Sequence, residues 1–100
     1  MATRTINRAH IPVSADYDRR ADVLYVVLGD DRACEGEGLS NGVELNYDIA
    51  NGKPSGATVI GFHRNKWDVR IAELATVISR HLVVADMIVS TAIKRAVNET

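Results

Sequence analysis

Residues 22–28, Asp-Val-Leu-Tyr-Val-Val-Leu, are the strongest strand signal in the chain. Val and Tyr suit the pleated, half-buried surface of a strand. With a period of two, both faces of such a strand are apolar: one carries Val23, Tyr25 and Val27, and the other carries Leu24, Val26 and Leu28. A strand that is apolar on both faces usually has cover on both sides. The sequence therefore predicts a central strand that needs packing partners above and below it.

Further strands are predicted on both sides of this stretch. Residues 10–18 and 43–48 alternate apolar with polar side chains, which is the period of a strand with one buried face. Residues 57–62 form another apolar strand, and residues 33–39 form a weak one interrupted by two glycines. The Asn41-Gly42 pair is a strong hairpin signal because both residues tolerate positive φ. Successive strands with hairpin turns predict an antiparallel meander.

The hydrophobic period becomes helical after Asp68, which we expect to cap a helix. Apolar residues then recur at helical spacing, at Ile71, Leu74, Ala75, Ile78 and Leu82. The Val83-Val84 pair favours a break, and Asp86 could cap a second helix beyond it. A single long helix over 68–97 is the alternative, because no Gly or Pro interrupts this region.

These elements predict an α+β fold. It consists of a small antiparallel sheet of four to five strands, arranged as a meander, followed by one or two C-terminal helices packed on one face. Residues 1–9 are expected to form a flexible N-terminal tail. Residues 10–100 are expected to form a single α+β domain, with the sheet over 10–63 and the helical region over 68–97.

Composition places the chain among ordinary globular proteins, with 46% hydrophobic and 25% charged residues. No apolar run approaches the roughly 20 residues of a membrane-spanning helix. The N-terminus lacks the apolar core of a secretory signal, and the single cysteine, Cys34, cannot form an internal disulfide. We therefore expect a cytoplasmic protein that does not act in a membrane.

The strand segments also carry a family pattern. It runs through Tyr17-Asp18, Ala21-Asp22, Leu24-Tyr25-Val26 and Leu28, then through Gly42-Val43, Leu45 and Tyr47-Asp48, and then into the apolar strand after Gly56. Over residues 14–62 the chain resembles the bacterial domain of unknown function 2283 family. The resemblance implies a small β-rich bacterial domain. It implies no activity and carries over no functional residue.

Asp16, Asp18 and Asp22 invite a metal hypothesis because hard cations take carboxylate oxygens. The calcium-loop spacing fails, however, since Arg20 and Val27 occupy the fifth and twelfth positions counted from Asp16. We interpret the three aspartates as solvated carboxylates at a strand end and a turn.

Histidine and cysteine chemistry is equally weak in the sequence. His10, His63 and His81 have no metal-ligand spacing, and the neighbours of Cys34 are the acidic Glu35 and Glu37 rather than the basic residues that activate a thiol nucleophile. Residues 35–42 have the wrong glycine spacing for a phosphate loop and are interpreted as a hairpin.

Residues 64–67, Arg-Asn-Lys-Trp, form a basic and aromatic cluster that could contact nucleic acid. The preferred interpretation is that Trp67 anchors the helix on the sheet. The sequence therefore predicts no catalytic, cofactor-binding or metal-binding residues and no cofactor.

The charge is unevenly divided along the chain. The first fifty residues hold nine acids and five bases, a formal charge of −4, and the last fifty hold four acids and seven bases, a charge of +3. The strand at 22–28 is apolar on both faces, but the predicted helices can cover only one face of the sheet. Together with the opposite charges of the two halves, this predicts self-association as a dimer or a multiple of dimers. We therefore expect a non-enzymatic, oligomeric interaction module of unknown partner. The alternatives are a small nucleic-acid-associated regulator, although nucleic acid is not the expected partner, and an enzyme or small-ligand binder whose site forms between subunits.

Overall fold

A computed structural model describes residues 11–99, so the predicted tail over 1–9 lies outside the described residues. The strands are β1 (Val13–Asp18), β2 (Val23–Leu28), β3 (Cys34–Gly38), β4 (Val43–Asp48) and β5 (Pro54–Ile60). A 3-10 turn over Trp67–Val69 leads into two helices, α1 (Ile71–Leu82) and α2 (Asp86–Asn98). The predicted fold class is confirmed: an antiparallel five-stranded sheet is followed by two C-terminal helices that pack on it.

The strands lie in the order β1-β2-β5-β4-β3, and every neighbouring pair is antiparallel. The meander therefore has two parts, a β1–β2 hairpin and a β3–β4–β5 unit, joined where β2 pairs with β5. The inner strands β2 and β5 are mainly apolar, whereas β3 is exposed along its whole length and lies at the edge of the sheet. Because of this order, residues 29–33 must cross the ends of β5 and β4 to reach β3.

The turn between β3 and β4 follows the predicted hairpin chemistry. Asn41 and Gly42 have φ values of 60° and 81°, the left-handed pair that a two-residue hairpin turn requires. Ile60 donates its backbone N–H to the Gly42 carbonyl at 2.8 Å. A Cβ at Gly42 would lie only 1.9 Å from the Ile60 carbonyl oxygen, so glycine is needed both for φ and for this close approach.

Both helices lie on the same face of the sheet, here called the inner face. The helix α2 packs along β1 and α1 packs along β5, and one apolar cluster joins both layers. Leu24 is completely buried in this cluster, whereas its neighbour Tyr25, on the opposite face, is 42% exposed. That opposite face, here called the outer face, has no covering element between residues 11 and 99. The cover expected on the second side of β2 is therefore absent from the described chain.

The helix boundaries differ in part from the predicted ones. Asp68 does not cap α1 but lies within the 3-10 turn, and Arg70 precedes the helix. Asp86 is the first residue of α2 rather than its cap, and its carboxylate accepts hydrogen bonds from the hydroxyls of Thr76 and Ser79 in α1. These contacts are local side-chain geometry that residue type alone does not specify.

The predicted break between the helices is confirmed, so the single helix over 68–97 does not form. Val83 ends α1 in the left-handed region, with φ 59° and ψ 51°. Neither helix of the described chain is long and apolar enough to cross a membrane.

Substitutions at two neighbouring residues test which face of β2 packs in the hydrophobic core. Leu24→Asp should prevent folding, because an unpaired buried carboxylate costs several kcal/mol against a total stability of about 5–15 kcal/mol. Tyr25→Asp is the matched control on the outer face and should give a folded protein. Circular dichroism and thermal melting measure both. A folded Leu24→Asp variant with a nearly unchanged melting temperature would contradict this assignment.

Candidate functional site

Asp22 joins two turns that are far apart in sequence. Its carboxylate accepts the Tyr17 hydroxyl at 2.7 Å and the backbone N–H groups of His63 and Arg64 at 2.8 and 3.1 Å. Its own carbonyl accepts the N–H groups of residues 61 and 62. Asp22 adopts φ 59°, a conformation that aspartate reaches more readily than most side chains. The β1–β2 turn is thereby fixed to the segment that leads from β5 toward α1.

The ionisation of this pair follows from its contacts. Burial and, next to it, the hydrogen bond to Asp22 together raise the pKa of Tyr17 to about 12. Burial alone would raise the pKa of Asp22, but the amides of His63 and Arg64 and the phenol of Tyr17 lower it below its ordinary value. A neutral phenol donating to a carboxylate is therefore the stable state. This arrangement is suited to holding the two turns together rather than to transferring a proton.

The two histidines within the described chain lie apart from each other. His63 places Nδ1 3.2 Å from a carboxylate oxygen of Asp68, and this pair is partly exposed. His81 at the end of α1 places Nε2 2.9 Å from the Asn46 carbonyl, and its ring meets Tyr47 edge-on at 4.9 Å. The His81 contact connects α1 to β4, whereas the His63 contact lies within the segment between β5 and α1. His10 lies outside the described residues.

The remaining sequence candidates are not brought together. Asp16 and Asp18 lie on the outer face of β1, while the Asp22 carboxylate turns toward residues 61–64. No three His, Cys, Asp or Glu side chains between residues 11 and 99 lie where they could hold a metal ion. Cys34 is exposed on β3 at the end of the sheet opposite His63.

The basic and aromatic cluster is anchored by its tryptophan, as preferred from the sequence. Trp67 is only 4% exposed, and its indole N–H donates to the Asn41 carbonyl at 2.9 Å. The guanidinium of Arg70 lies 4.0 Å from the centre of its ring. Arg64 and Lys66 are exposed beside it. Because the ring is buried, it is not accessible for stacking on a nucleic-acid base.

A polar row crosses the outer face. Asp16, Tyr25, Thr58 and Glu44 are cross-strand neighbours in that order. The Thr58 hydroxyl donates to Asn46 Oδ1 at 2.9 Å, and Asn46 Nδ2 donates to Glu44 Oε1 at 3.2 Å. Asn46 is 7% exposed, although the alternation of β4 predicted a solvent-facing side chain. Its hydrogen bonds satisfy the polar groups that this burial removes from water.

A pocket of about 260 Å³ opens beside Tyr25 on this face. Gly56 is one of its lining residues, and a Cβ at this position would approach the Val26 carbonyl oxygen to 2.2 Å. At the rim, Arg32 donates to the carboxylate of Asp48 at 3.0 Å. Sequence reasoning missed Arg32 and Asn46 as members of one site, because only the crossing of residues 29–33 brings the Arg32 guanidinium to β4.

An apolar strip runs along the other side of the molecule, where α2 borders the edge strand β1. We define the β1–α2 strip as Ile11, Val13, Val83, Met87 and Ile88, which line two adjoining grooves. Val83 and Met87 are 85% and 77% exposed. The apolar residues of α2 therefore fall into two sets: Met87 and Ile88 are exposed in the strip, whereas Val89, Ile93 and Ala96 are buried in the core.

Comparison with family models, with curated proteins and with solved structures finds no match to this chain. The resemblance to the bacterial domain of unknown function 2283 family therefore stays a prediction.

The role of Asp22 can be tested through its pH dependence. Asp22→Asn keeps the shape and tolerates positive φ, but it turns an N–H group toward N–H donors. We expect the free energy of unfolding to fall by about 1–2 kcal/mol near neutral pH. This is the lower part of the usual range for an unsatisfied hydrogen-bonding group, because the site is partly open to water. The folded pKa is lowered, so the stabilisation is present above the ordinary value of 3.8 and is lost as the pH falls below it.

Urea unfolding of both proteins at about pH 7 and about pH 3 measures this difference. The difference in free energy of unfolding between wild type and Asp22→Asn should be smaller at the lower pH. Asp16→Asn, which removes an exposed carboxylate without a hydrogen-bond partner in the described chain, is the control and should change little. A gap for Asp22→Asn that is constant with pH would refute the proposed charge-assisted contact.

Proposed function

We propose that this protein is a non-enzymatic interaction module that forms a homodimer through the β1–α2 strip. The observation that carries the proposal is the exposure of large apolar side chains on adjoining elements, notably Val83, Met87 and Ile88. Contiguous exposed apolar surface of this kind is typical of interaction sites. A two-fold dimer is the commonest way for a soluble chain to cover such a surface with a second copy.

The charges of α2 favour an antiparallel pairing of this helix with its counterpart. Asp86 lies in the first turn, and Arg95 lies in the last turn. Met87, Thr91 and Arg95 follow one another at intervals of four residues and therefore share one side of the helix. Antiparallel packing across a two-fold axis brings the acidic start of each helix to the basic end of the other. The opposed helix dipoles favour the same arrangement.

The backbone of Val83 supports a role for its side chain outside the monomer fold. A β-branched residue in the left-handed region is an outlier, and glycine is the usual residue at this position after a helix. Burial within the monomer does not compensate the strain, because the side chain is 85% exposed. Contact with a partner gives this valine a use that glycine could not supply.

A charged substitution in the strip tests the dimer. Ile88→Glu places a carboxylate in the apolar contact and should raise the dimer dissociation constant on the order of 100-fold. Light scattering coupled to size exclusion should give twice the chain mass of 10.9 kDa for the wild type and a lower mass for the variant. Val69→Glu is the matched control, since Val69 is 76% exposed on the 3-10 turn outside the strip. A wild-type mass of one chain at micromolar concentration would refute the dimer.

Val83→Gly separates the fold from the interface. The substitution relieves strain of about 1–2 kcal/mol and adds a glycine entropy cost of about 0.5–1 kcal/mol. The monomer should therefore keep its stability while the dimer weakens, as judged by circular dichroism and by the mass at several dilutions. Val69→Gly, made at an ordinary φ, should instead lower stability and leave the dimer intact. An unchanged dimer in Val83→Gly would show that this side chain does not contact the partner.

A further inference from the structure

The outer face has a charge distribution that differs from the rest of the molecule. The five strands contain no Lys or Arg, and their six acidic residues are Asp16, Asp18, Glu35, Glu37, Glu44 and Asp48. Four of these side chains belong to the outer face, and Glu35 and Glu37 belong to the inner face beyond the helices. The lysines and arginines of the described chain lie in the turns and helices.

Two carboxylates without a partner in the described chain lie at the pocket beside Tyr25. Asp30 and Asp31 line it, and neither carboxylate has a hydrogen-bond or ion-pair partner between residues 11 and 99. Arg32 is the one cation among the described lining residues, and its guanidinium is already bound to Asp48 at 3.0 Å and to the Asp30 carbonyl at 3.2 Å. The described residues that line this pocket therefore carry two unpaired carboxylates and no unpaired cation.

The shape of the pocket limits what it can hold. Its volume of about 260 Å³ is below the roughly 300–1,000 Å³ of sites for whole small molecules. Tyr25, Gly56 and residues 30–32 are among the residues that line it, so an aromatic side chain and two carboxylates border the same space. A tyrosine face attracts a cation through its ring quadrupole. A long cationic side chain fits this combination of size, aromatic side chain and carboxylates.

We infer that the outer face is a docking surface for a basic segment of a partner protein, and that the pocket beside Tyr25 receives one arginine or lysine side chain of that segment. The surface is an unpartnered sheet face, and charge complementarity identifies its occupant. A second copy of this chain fits less well, because face-to-face pairing would bring Asp16 and Glu44 against the same carboxylates. The inference rests on the proposed interaction role but concerns a surface separate from the β1–α2 strip.

Short peptides test the inference directly. An Ac-Gly-Arg-Gly-amide peptide and its citrulline counterpart, which has nearly the same shape without the charge, would be titrated into ¹⁵N-labelled protein. The arginine peptide should shift the backbone amide signals of Tyr25, Asp30, Asp31 and Gly56, and the citrulline peptide should not. Added salt of about 0.3 M should reduce the shifts, because it screens exposed charges.

Variants locate the contact. Tyr25→Leu, which removes the aromatic face, and the double variant Asp30→Asn/Asp31→Asn should each weaken peptide binding about threefold to fivefold. The double variant Glu35→Gln/Glu37→Gln removes the same charge from the inner face and is the matched control, with binding expected to stay unchanged. Repeating the titration on Ile88→Glu separates this surface from the dimer contact, and binding should persist there.

Three results would overturn the inference. The first is equal binding of the citrulline peptide, and the second is no binding or shifts confined to residues away from the pocket. The third is that the amide signals of the outer face change with protein concentration and that Tyr25→Leu dissociates the dimer. That result would assign the outer face to a second copy of the chain.

Discussion

Asp22 holds together two turns whose contacts lie 41 residues apart along the chain. Its side chain and carbonyl bind the amides of residues 61–64, and Tyr17 completes the set from β1. That segment leads into Trp67, whose indole is fixed to the β3–β4 turn, and then into α1. This carboxylate therefore fixes the segment that begins the helical region against the β1–β2 turn. The hydrogen bonds offset the unfavourable φ of the residue that makes them.

Placing both helices on the inner face gives the sheet two unlike surfaces. Leu24 and Val26 are enclosed in the core, while Tyr25 stays accessible on the outer face between Asp16 of β1 and Thr58 of β5. A second layer on the outer face would require more chain than the helices provide. The open face keeps its own order through the hydrogen bonds that join Glu44, Asn46 and Thr58. A polar but ordered sheet face is a suitable surface for a partner whose charge is opposite.

The connection between the two helices contains hydrogen bonds to Asp86 and a strained backbone at Val83. Asp86 receives the hydroxyls of Thr76 and Ser79, and these bonds lower the pKa of its carboxyl group. They hold the start of α2 against α1 and leave Val83 in the connecting turn. The strained residue and the neighbouring exposed Met87 lie on one surface, where a partner chain would contact both. The proposed dimer contact and the proposed basic-peptide site thus occupy different sides of one small fold.

The sequence determined the local elements, because hydrophobic period and turn chemistry act over a few residues. The apolar run at 22–28, the Asn41-Gly42 turn and the break at Val83 were all predictable in this way. The tertiary structure decided which strands are neighbours and which face the helices cover. Contacts between distant segments decide three features: the burial of Asn46, the pairing of Arg32 with Asp48 and the orientation of Asp22 toward residues 61–64. Such contacts follow from the packing of whole elements, which the residue types at those positions do not encode by themselves.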